Sequence, residues 1–301
     1  MIEFLQQLTN GLAVGGIYAL IALGYTMVYG VLKLINFAHG ELFTLGSYLG
    51  MSLLLSFILG GLLSPPLAVM LVILMIMGLV GLSGFVLERA AYRPLRRSNR
   101  LAAVVSALGA SIFLQNALML VYGPKYQVYP DQVRITMTLS LSGLDIPLMR
   151  LLLFITSTLL MVALYLFIHK TKTGTAIRAV ATDQDAARLM GIDVNRIISL
   201  VFIIGPGLGG AAGVFLGLYY GQIRYDMGAL YGLKAFTAAI IGGIGNIPGA
   251  MLGGFLLGVA EAMGAAYISP AWKDAFAFMV LIVILILRPT GLLGERTANK
   301  I

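Results

Sequence analysis

Long apolar runs alternate with short polar links along almost the whole chain. A transmembrane helix needs about 20 apolar residues in succession. Six runs come close to this length, at residues 10–32, 40–62, 66–88, 101–122, 147–168 and 196–220. A further, shorter run at 273–288 ends at Arg288 and Pro289. The pattern predicts an all-α polytopic membrane protein, built as a single transmembrane domain over residues 1–301.

The apolar region 234–268 is interrupted by GGIGNIPG at 242–249. Helix-breaking sequence at membrane depth is tolerated where it is buried or lines a cavity. We therefore expect broken helices here and eight or nine crossings in total. The loop 221–233 is predicted outside and the tail 288–301 inside, so an odd number of crossings must lie between them. One broken pair of helices followed by the last span satisfies this condition.

Two stretches echo each other, KLINFAHGELFTLGSYLG at 33–50 and GGIGNIPGAMLGGFLLG at 242–258. Both run Asn, Gly, spaced glycines and Leu-Gly, and a Ser-Pro pair follows each. Duplicated halves with interrupted helices are frequent in transporters, and the interruption tends to mark the substrate path. The alternative is that glycine-rich apolar helices resemble one another by composition alone.

Small residues recur at helical spacing in two of the apolar runs. Such stripes let helix backbones approach closely, so they predict compact helix packing. The fragment GPGLGG matches the dinucleotide pattern G-x-G-x-x-G, but no strand precedes it, and we interpret it as part of the packing stripe. The stripes consist of Gly205, Gly209, Gly213, Gly217 and Gly221, and of Gly254, Gly258, Ala262 and Ala266.

The composition agrees with a membrane protein: 59% of the residues are hydrophobic and 11% are charged, with a mean hydropathy of +0.96. Soluble domains carry about 25% charged residues. Cysteine is absent, which excludes disulfides and thiolate metal sites. Neither His39 nor His169 lies in a metal-ligand motif, so no metal site is predicted. The start, MIEFLQQLTNG, lacks the basic residues of a cleaved signal peptide, and we expect none.

Positive charge predicts the orientation. Segments 89–100, 169–196 and 288–301 hold 13 of the 20 Lys and Arg residues. Lys and Arg collect in cytoplasmic loops. These segments are then inside and 123–146 and 221–233 outside, with a periplasmic N-terminus and a cytoplasmic C-terminus. The net charge of +8 needs no nucleic acid as partner, because no basic patch with interleaved aromatics is present.

The chain has no phosphate loop, no H-E-x-x-H motif and no recognisable catalytic set, so an enzyme is not predicted. Ionisable residues within the bilayer suggest function by default. Asn36, His39 and Glu41 at the first break, and Asn246 at the second, are the predicted translocation-path residues. The alternative for Glu41 and for the nearby Lys33 is that they mark membrane ends.

Glu261 is the other ionisable residue of the apolar regions, and it could equally be a helix-end residue that reaches a polar edge.

The segment TKTGTAIRAVATDQDAARLMGIDVNRI, 171–197, is polar and contains a short helix pattern. Thr182 and Asp185 form a capping-box-like start, and Gly191 is a natural stop. Asp193 can cap the next span. A helix of about two turns is predicted, and its small apolar positions could dock into a groove on another protein. The alternative is a solvated connector. The docking positions are Ala186, Ala187 and Met190.

Part of this segment, RAVATDQDAARLMGIDVNRI, resembles the cytoplasmic coupling segment of bacterial ABC-importer permeases. GIYALIALGYTMVYGVLKLINFAHGELFTLGSYLG at 16–50 resembles the LivH-like family of high-affinity branched-chain amino-acid transport permeases, and GGIGNIPGAMLGG at 242–254 agrees. The resemblance covers about residues 8 to 294.

The resemblance implies a multi-pass permease subunit of the bacterial inner membrane that binds no cofactor itself. It pairs with a homologous second permease subunit, while two cytoplasmic ATPase subunits bind ATP and Mg. A periplasmic substrate-binding protein delivers leucine, isoleucine or valine, and membrane lipid surrounds the spans. The predicted ATPase-coupling residues are Arg178, Asp183, Ala187 and Gly191.

Three alternatives remain open. A urea or short-amide ABC permease would look similar. An ion-gradient-driven carrier would need several buried acids, which are few here, and it would not need a docking segment. A scaffold that merely anchors ATPases would have no use for polar breaks at membrane depth.

Overall fold

The computed structural model of the chain describes residues 2–61, 63–96, 100–133, 137–141 and 144–294. These residues form an α-helical bundle in which eleven α-helices follow one another. The helices are α1 (Ile2–Leu32), α2 (His39–Leu59), α3 (Pro65–Leu87), α4 (Arg100–Tyr122), α5 (Leu148–Lys170), α6 (Lys172–Thr182), α7 (Gln184–Leu189), α8 (Val194–Tyr220), α9 (Met227–Gly242), α10 (Ile247–Tyr267) and α11 (Lys273–Leu287).

Short elements complete the fold. Two antiparallel pairs of strands form: β1 pairs with β4 from a distant part of the chain, and β2 pairs with β3, which follows it directly. A π-helical turn, Glu88–Tyr92, prolongs α3. The strands are β1 (Gln127–Val128), β2 (Thr138–Leu141), β3 (Leu144–Pro147) and β4 (Gln222–Ile223), and the 3-10 turns are Arg93–Leu95, Asp131–Val133 and Pro270–Trp272.

The predicted class is confirmed. Within the described residues, eight helices are long and apolar enough to cross a membrane, and α9, with 16 residues, is a shorter apolar helix. The region 234–268 is built as predicted: α9 and α10 are separated by the break Gly243–Asn246. The predicted second span, 40–62, ends at Leu59 instead, and residue 62 lies outside the described residues.

The core of the bundle is built on α1. Its most apolar stretch is 94% buried, against 6% for Pro270–Leu287, which contains α11. Helices α8, α9 and α10 all pack against α1, and α2 and α3 pack against α8. α1 and α8 are therefore central, while α3, α4, α5 and α11 present long apolar faces outward, as expected of helices in contact with lipid.

The glycine stripes make the predicted close approaches. A side chain at Gly205 would meet Gly24 of α1, and one at Gly213 would collide with the carbonyl of Phe43 in α2. A side chain at Gly254 would collide with Ala19 of α1. Larger residues would push these helices apart, so glycine at these positions sets the interaxial distance.

The described parts of the three positive segments lie at the same end of the bundle, so their predicted grouping is found, while the side of the membrane that this end faces stays a prediction. Arg96, after α3, donates to Asn195 at the start of α8 over 3.0 Å, and Gln184 of α7 donates to the carbonyl of Val31 over 2.8 Å. The amide of Leu293 donates to the last carbonyl of α9.

Helix α10 runs antiparallel to α1, because Gly258 lies against Gly15 and Gly254 against Ala19. The start of α10 is therefore at the same end as Leu32. At the opposite end, β1 pairs with β4, which joins the two loops predicted to lie outside. The remaining positive residues of the prediction, Arg97, Arg296 and Lys300, lie outside the described residues.

Candidate functional site

The first break lies between α1 and α2. Lys33 leaves α1 with a φ of 54°, in the left-handed region, and turns the chain back into the bundle. Asn36 is 1% exposed, and its Oδ1 accepts from the amide of Ala38 over 3.1 Å and from the hydroxyl of Tyr92 over 2.8 Å. Among the described residues its Nδ2 has no partner.

His39 begins α2 in the middle of the bundle. Its ring lies against Gly24 of α1 and Gly209 of α8. It also packs edge-on against the ring of Tyr25, with 4.7 Å between the two ring centroids. The side chain is fully buried, and neither ring nitrogen makes a well-formed hydrogen bond among the described residues, although the backbone of Ile21 lies close to the ring. Buried polar atoms are normally hydrogen-bonded, so two orphaned nitrogens indicate a group held ready for another molecule or for water.

Glu41 lies two residues after His39, about half a turn further along α2. It is 2% exposed, and its Oε2 has no partner within the described part of the chain. Gly228, at the start of α9, lies directly beside this carboxyl. A cavity of about 180 Å³ lies here, and Tyr25 and Phe236 also line it. Glu41 therefore does not mark a membrane end, whereas Lys33 is exposed.

Three of the four predicted path residues, Asn36, His39 and Glu41, are thus all buried within six residues of one another at the first break, and we call this group the His39 cluster. Asn246 is elsewhere. It caps α10 by accepting from the amide of Gly249 over 2.9 Å, and it donates to the carbonyl of Leu293 over 2.9 Å. Both ends of its carboxamide serve the local structure, so its role in translocation stays a prediction.

A second buried polar cluster joins α1, α9, α10 and α11, and we call it the Glu261 cluster. Lys234 Nζ lies 2.9 Å from Glu261 Oε1 and 2.5 Å from Asp274 Oδ1. Lys273 Nζ lies 3.1 Å from the same oxygen of Glu261, and the Tyr18 hydroxyl donates to Oε2 over 2.8 Å. Glu261 is fully buried, so it is a component of an ion-pair network and not a helix-end residue.

The sequence analysis did not predict a role for Lys234. The signal that could have indicated one is a lone lysine within the apolar run of α9. The side chain of Lys234 is 2% exposed, whereas that of Lys273 is 32% exposed. The charge of Lys234 is balanced by acids on the next two helices, a pairing that no sequence spacing reveals.

A cavity of about 460 Å³ opens beside the Glu261 cluster. It has the size of a small-molecule site. Glu261 and Lys273 present opposite charges to it, and Asn10 contributes an Oδ1 that has no partner among the described residues. Ala262 and Ala266 line the cavity, so the second small-residue stripe packs against α1 at its glycines and leaves open space at its alanines.

The segment 171–197 contains two helices. Asp183 caps α7, because its Oδ1 accepts from the amides of Asp185 and Ala186. The predicted cap Thr182 is wrong by one position: its hydroxyl donates to the carbonyl of Arg178, inside α6. Gly191, with a φ of 79°, ends the helix as predicted.

Asp193 caps α8, also as predicted, by accepting from the amides of Asn195 and Arg196. Arg178 is exposed on α6, and only Thr175 accepts from its guanidinium within the described residues, over 3.3 Å.

Ala187 does not lie on the free surface of α7. It is 3% exposed and packs into the core of its own chain. Leu189 and Met190 are instead 89% and 82% exposed. The expectation that Ala187 offers a docking contact is therefore corrected, because the helix seats this alanine inward. A role of Ala187 in coupling stays a prediction.

Among the described residues, no group of three or more His, Cys, Asp or Glu side chains could hold a metal ion.

Comparisons with known proteins agree over nearly the whole chain. The family profile described as the branched-chain amino acid transport system permease component matches residues 7–285. The chain is 47% identical to the high-affinity branched-chain amino acid transport system permease protein BraD of Pseudomonas aeruginosa, over 99% of this chain and 98% of the relative.

It is 43% identical to the permease protein LivH of Escherichia coli K12, over 99% and 98% of the two chains. A solved inward-facing structure of a metal-chelate type ABC transporter covers 94% of this chain and 87% of its own, at 15% identity and a TM-score of 0.48, a likeness too weak to assign fold or function. On the family profile and the two relatives, the chain belongs to the family of branched-chain amino acid transport system permease components.

Proposed function

We propose that this chain is one of two permease subunits of an ATP-driven importer that carries leucine, isoleucine and valine across a bacterial inner membrane. The single observation that carries the proposal is the 47% identity to a branched-chain amino acid permease over 99% of this chain. In this assembly two cytoplasmic ATPase subunits hydrolyse ATP with Mg, and a periplasmic binding protein delivers the substrate.

Helix α7 is the proposed handle for the ATPases. Leu189 and Met190 form an exposed apolar tip, and Asp185 and Arg188 pair beside it over 2.7 Å. Exposed apolar side chains rimmed by charge are typical of a docking surface. The tip therefore enters a groove of the ATPase, and the charged pair sets the register.

The inner side of α7 transmits the movement. Gln184 holds the last turn of α1 through the carbonyl of Val31, and Ala187 is packed into the core. Helix α8 begins directly after the segment, at the cap Asp193. A push on α7 thus reaches α1 and α8, the two central helices, and shifts the balance between outward-open and inward-open states.

The His39 cluster is the proposed point of passage. His39 and Glu41 hold orphaned polar atoms where α1, α2, α8 and α9 meet. These atoms lose little when a polar solute passes, because they have no partners to give up. Specificity rests mainly with the binding protein, since an apolar passage separates substrates that differ by one methylene by only about 10- to 200-fold.

The cavity beside the Glu261 cluster favours an amino acid over urea as the substrate. A free amino acid carries one carboxylate and one ammonium. Lys273 donates to Glu261 and to the Tyr220 hydroxyl and keeps a third N–H for the carboxylate. Asn10 offers an unpartnered acceptor to the ammonium, and alanines leave room for a branched side chain. Urea is neutral and would leave the charged wall unmatched.

The test reconstitutes the chain with its permease partner and ATPases in lipid nanodiscs and measures ATP hydrolysis with a binding protein, leucine-loaded or empty. We expect the loaded protein to stimulate hydrolysis, and Met190→Asp to remove the stimulation and the co-purification of the ATPases. Met190→Leu, which keeps the apolar tip, is the matched control. Undiminished stimulation in Met190→Asp contradicts the docking tip.

Proteoliposomes test the substrate and the energy source. Leucine uptake driven by ATP, without urea uptake, supports the importer. Uptake of urea in preference to leucine supports a short-amide permease. Uptake by this chain alone under an ion gradient supports a secondary carrier. If Asn36→Leu and Glu41→Ala both transport normally, the passage lies elsewhere.

A further inference from the structure

A cavity of about 440 Å³ lies between the end of α3 and the beginning of α8, at the end of the bundle that carries the positive segments. Its lining divides into a cationic part and an apolar part, so it is amphipathic. The cationic part consists of Arg89, Arg93 and Arg196, and the apolar part of Phe85, Leu200 and Ile203.

Cations outnumber acids in this cavity. Only Asp193 contributes a carboxylate, and it pairs with Arg196 over 3.0 Å. Within the described residues no carboxylate pairs with Arg89 or Arg93, and Arg89 lies over the ring of Phe85, 5.9 Å from its centroid. Two guanidinium groups are therefore available to an anion, and guanidinium matches the oxygens of a phosphate in geometry.

The walls of the cavity are held in place by a hydrogen-bonded network. Glu88, fully buried in the π-helical turn, accepts from Ser199 over 2.8 Å and pairs with Arg96. Arg96 in turn donates to Asn195 over 3.0 Å. Burial lowers the pKa of the Arg96 guanidinium and the positive charge of Arg93 adds to this, while Glu88 opposes both. The site is thus preformed, with positive charges crowded around it.

The place of the cavity relative to the apolar surface identifies its ligand. The apolar run of α3 ends at Leu87, and the arginines follow at once. Just before them, Leu82 and Val86 are 58% and 56% exposed, and Ile203, on α8, is 37% exposed. An inorganic anion would use the arginines and leave this apolar surface uncovered. A molecule with an anionic head and hydrocarbon chains covers both.

We propose that this cavity is a binding site for the headgroup of an anionic phospholipid. The phosphate accepts from Arg89 and Arg93, and the acyl chains lie along Val86 and Ile203. Basic pockets between helices at the cytoplasmic edge of a membrane are suited to anionic headgroups. The inference rests on the local charge and burial alone and is independent of the substrate of the transporter.

The experiment is native mass spectrometry of the full chain, alone and in the assembled transporter, with phosphatidylglycerol and with phosphatidylcholine. We expect retention of phosphatidylglycerol in both preparations. Each lost arginine should weaken this binding about fivefold, so R89Q/R93Q should weaken it about 25-fold and leave phosphatidylcholine unchanged. R89K/R93K should keep binding within about threefold, because both positive charges remain and only the planar geometry of guanidinium is lost.

Arg150→Gln is the matched control, because Arg150 lies at the opposite end of the bundle, over the ring of Tyr219. Equal retention of the two lipids, or an equal loss in the control and in R89Q/R93Q, would overturn the proposal. Displacement of the lipid by millimolar glycerol phosphate would assign the site to a soluble phosphate. Lipid bound to the chain alone and lost on assembly would assign the arginines to a protein interface.

Discussion

The His39 cluster and the Glu261 cluster bury similar side chains in opposite ways. In the Glu261 cluster every carboxylate oxygen that is buried has a cation or a hydroxyl beside it. In the His39 cluster both ring nitrogens of His39, the Nδ2 of Asn36 and the Oε2 of Glu41 are unpartnered within the described residues. A satisfied network stabilises one arrangement of helices, whereas unsatisfied groups cost stability and are retained for another purpose.

The two chain breaks differ in the same sense, although their sequences echo each other. The break before α2 leads His39 into the middle of the bundle, against α1 and α8. The break before α10 is closed by the C-terminal segment: Leu292 and Leu293 donate to the last carbonyls of α9, and Asn246 holds Leu293. Similar motifs therefore serve a buried polar site in one place and a helix junction in the other.

The largest effect is expected in the Glu261 cluster. Glu261→Leu leaves Lys273 and the Tyr18 hydroxyl without their shared acceptor and leaves Lys234 with Asp274 alone. Removing one partner of a buried ion pair costs about 3–5 kcal/mol. Denaturant unfolding in mixed micelles measures this loss. Glu3→Leu, at an exposed position, is the control and should have little effect. Equal stability of the two variants would refute the network.

An intermediate effect is expected at the second break. Asn246→Ala removes the cap of α10 and the hydrogen bond to Leu293, which together should cost about 2 kcal/mol. Asn246→Asp keeps the acceptor for the Gly249 amide and loses only the donor, so it should cost about half as much. The same unfolding measurement checks both. A transport defect with normal stability in Asn246→Asp would instead support a role in the passage.

The smallest effect on stability is expected in the His39 cluster. His39→Leu conserves volume approximately and removes two orphaned nitrogens, so the free energy of unfolding should change by less than about 1.5 kcal/mol. ATP-driven leucine uptake in proteoliposomes should nevertheless fall sharply, because two of the four unpartnered polar atoms of the His39 cluster are gone. His169→Leu is the control. The ring of His169 stacks against Tyr165, and its replacement should leave uptake unchanged. A large loss of stability in His39→Leu, with uptake per folded molecule unchanged, would remove the contrast between the clusters.

The helices could be predicted because their signals are local. Apolar length predicts the spans, glycine spacing predicts close approach, and the cap Asp193 is predicted because it lies directly before the helix that it caps. The exact cap of α7 was misplaced by one residue, since Thr182 and Asp183 both have suitable oxygens and only the backbone turn selects between them.

The sequence by itself determined the membrane class, the positions of most spans, the grouping of the charged loops and the family, while it left the count of crossings at eight or nine. Tertiary structure alone decided which polar residues are satisfied. Lys234 and Glu261 meet across two helices, His39 lies against glycines of α1 and α8, and Ala187 faces its own core. The physical reason is that hydrogen bonding and burial depend on neighbours brought from distant parts of the chain, whereas helix formation in a membrane depends mainly on the apolar run itself.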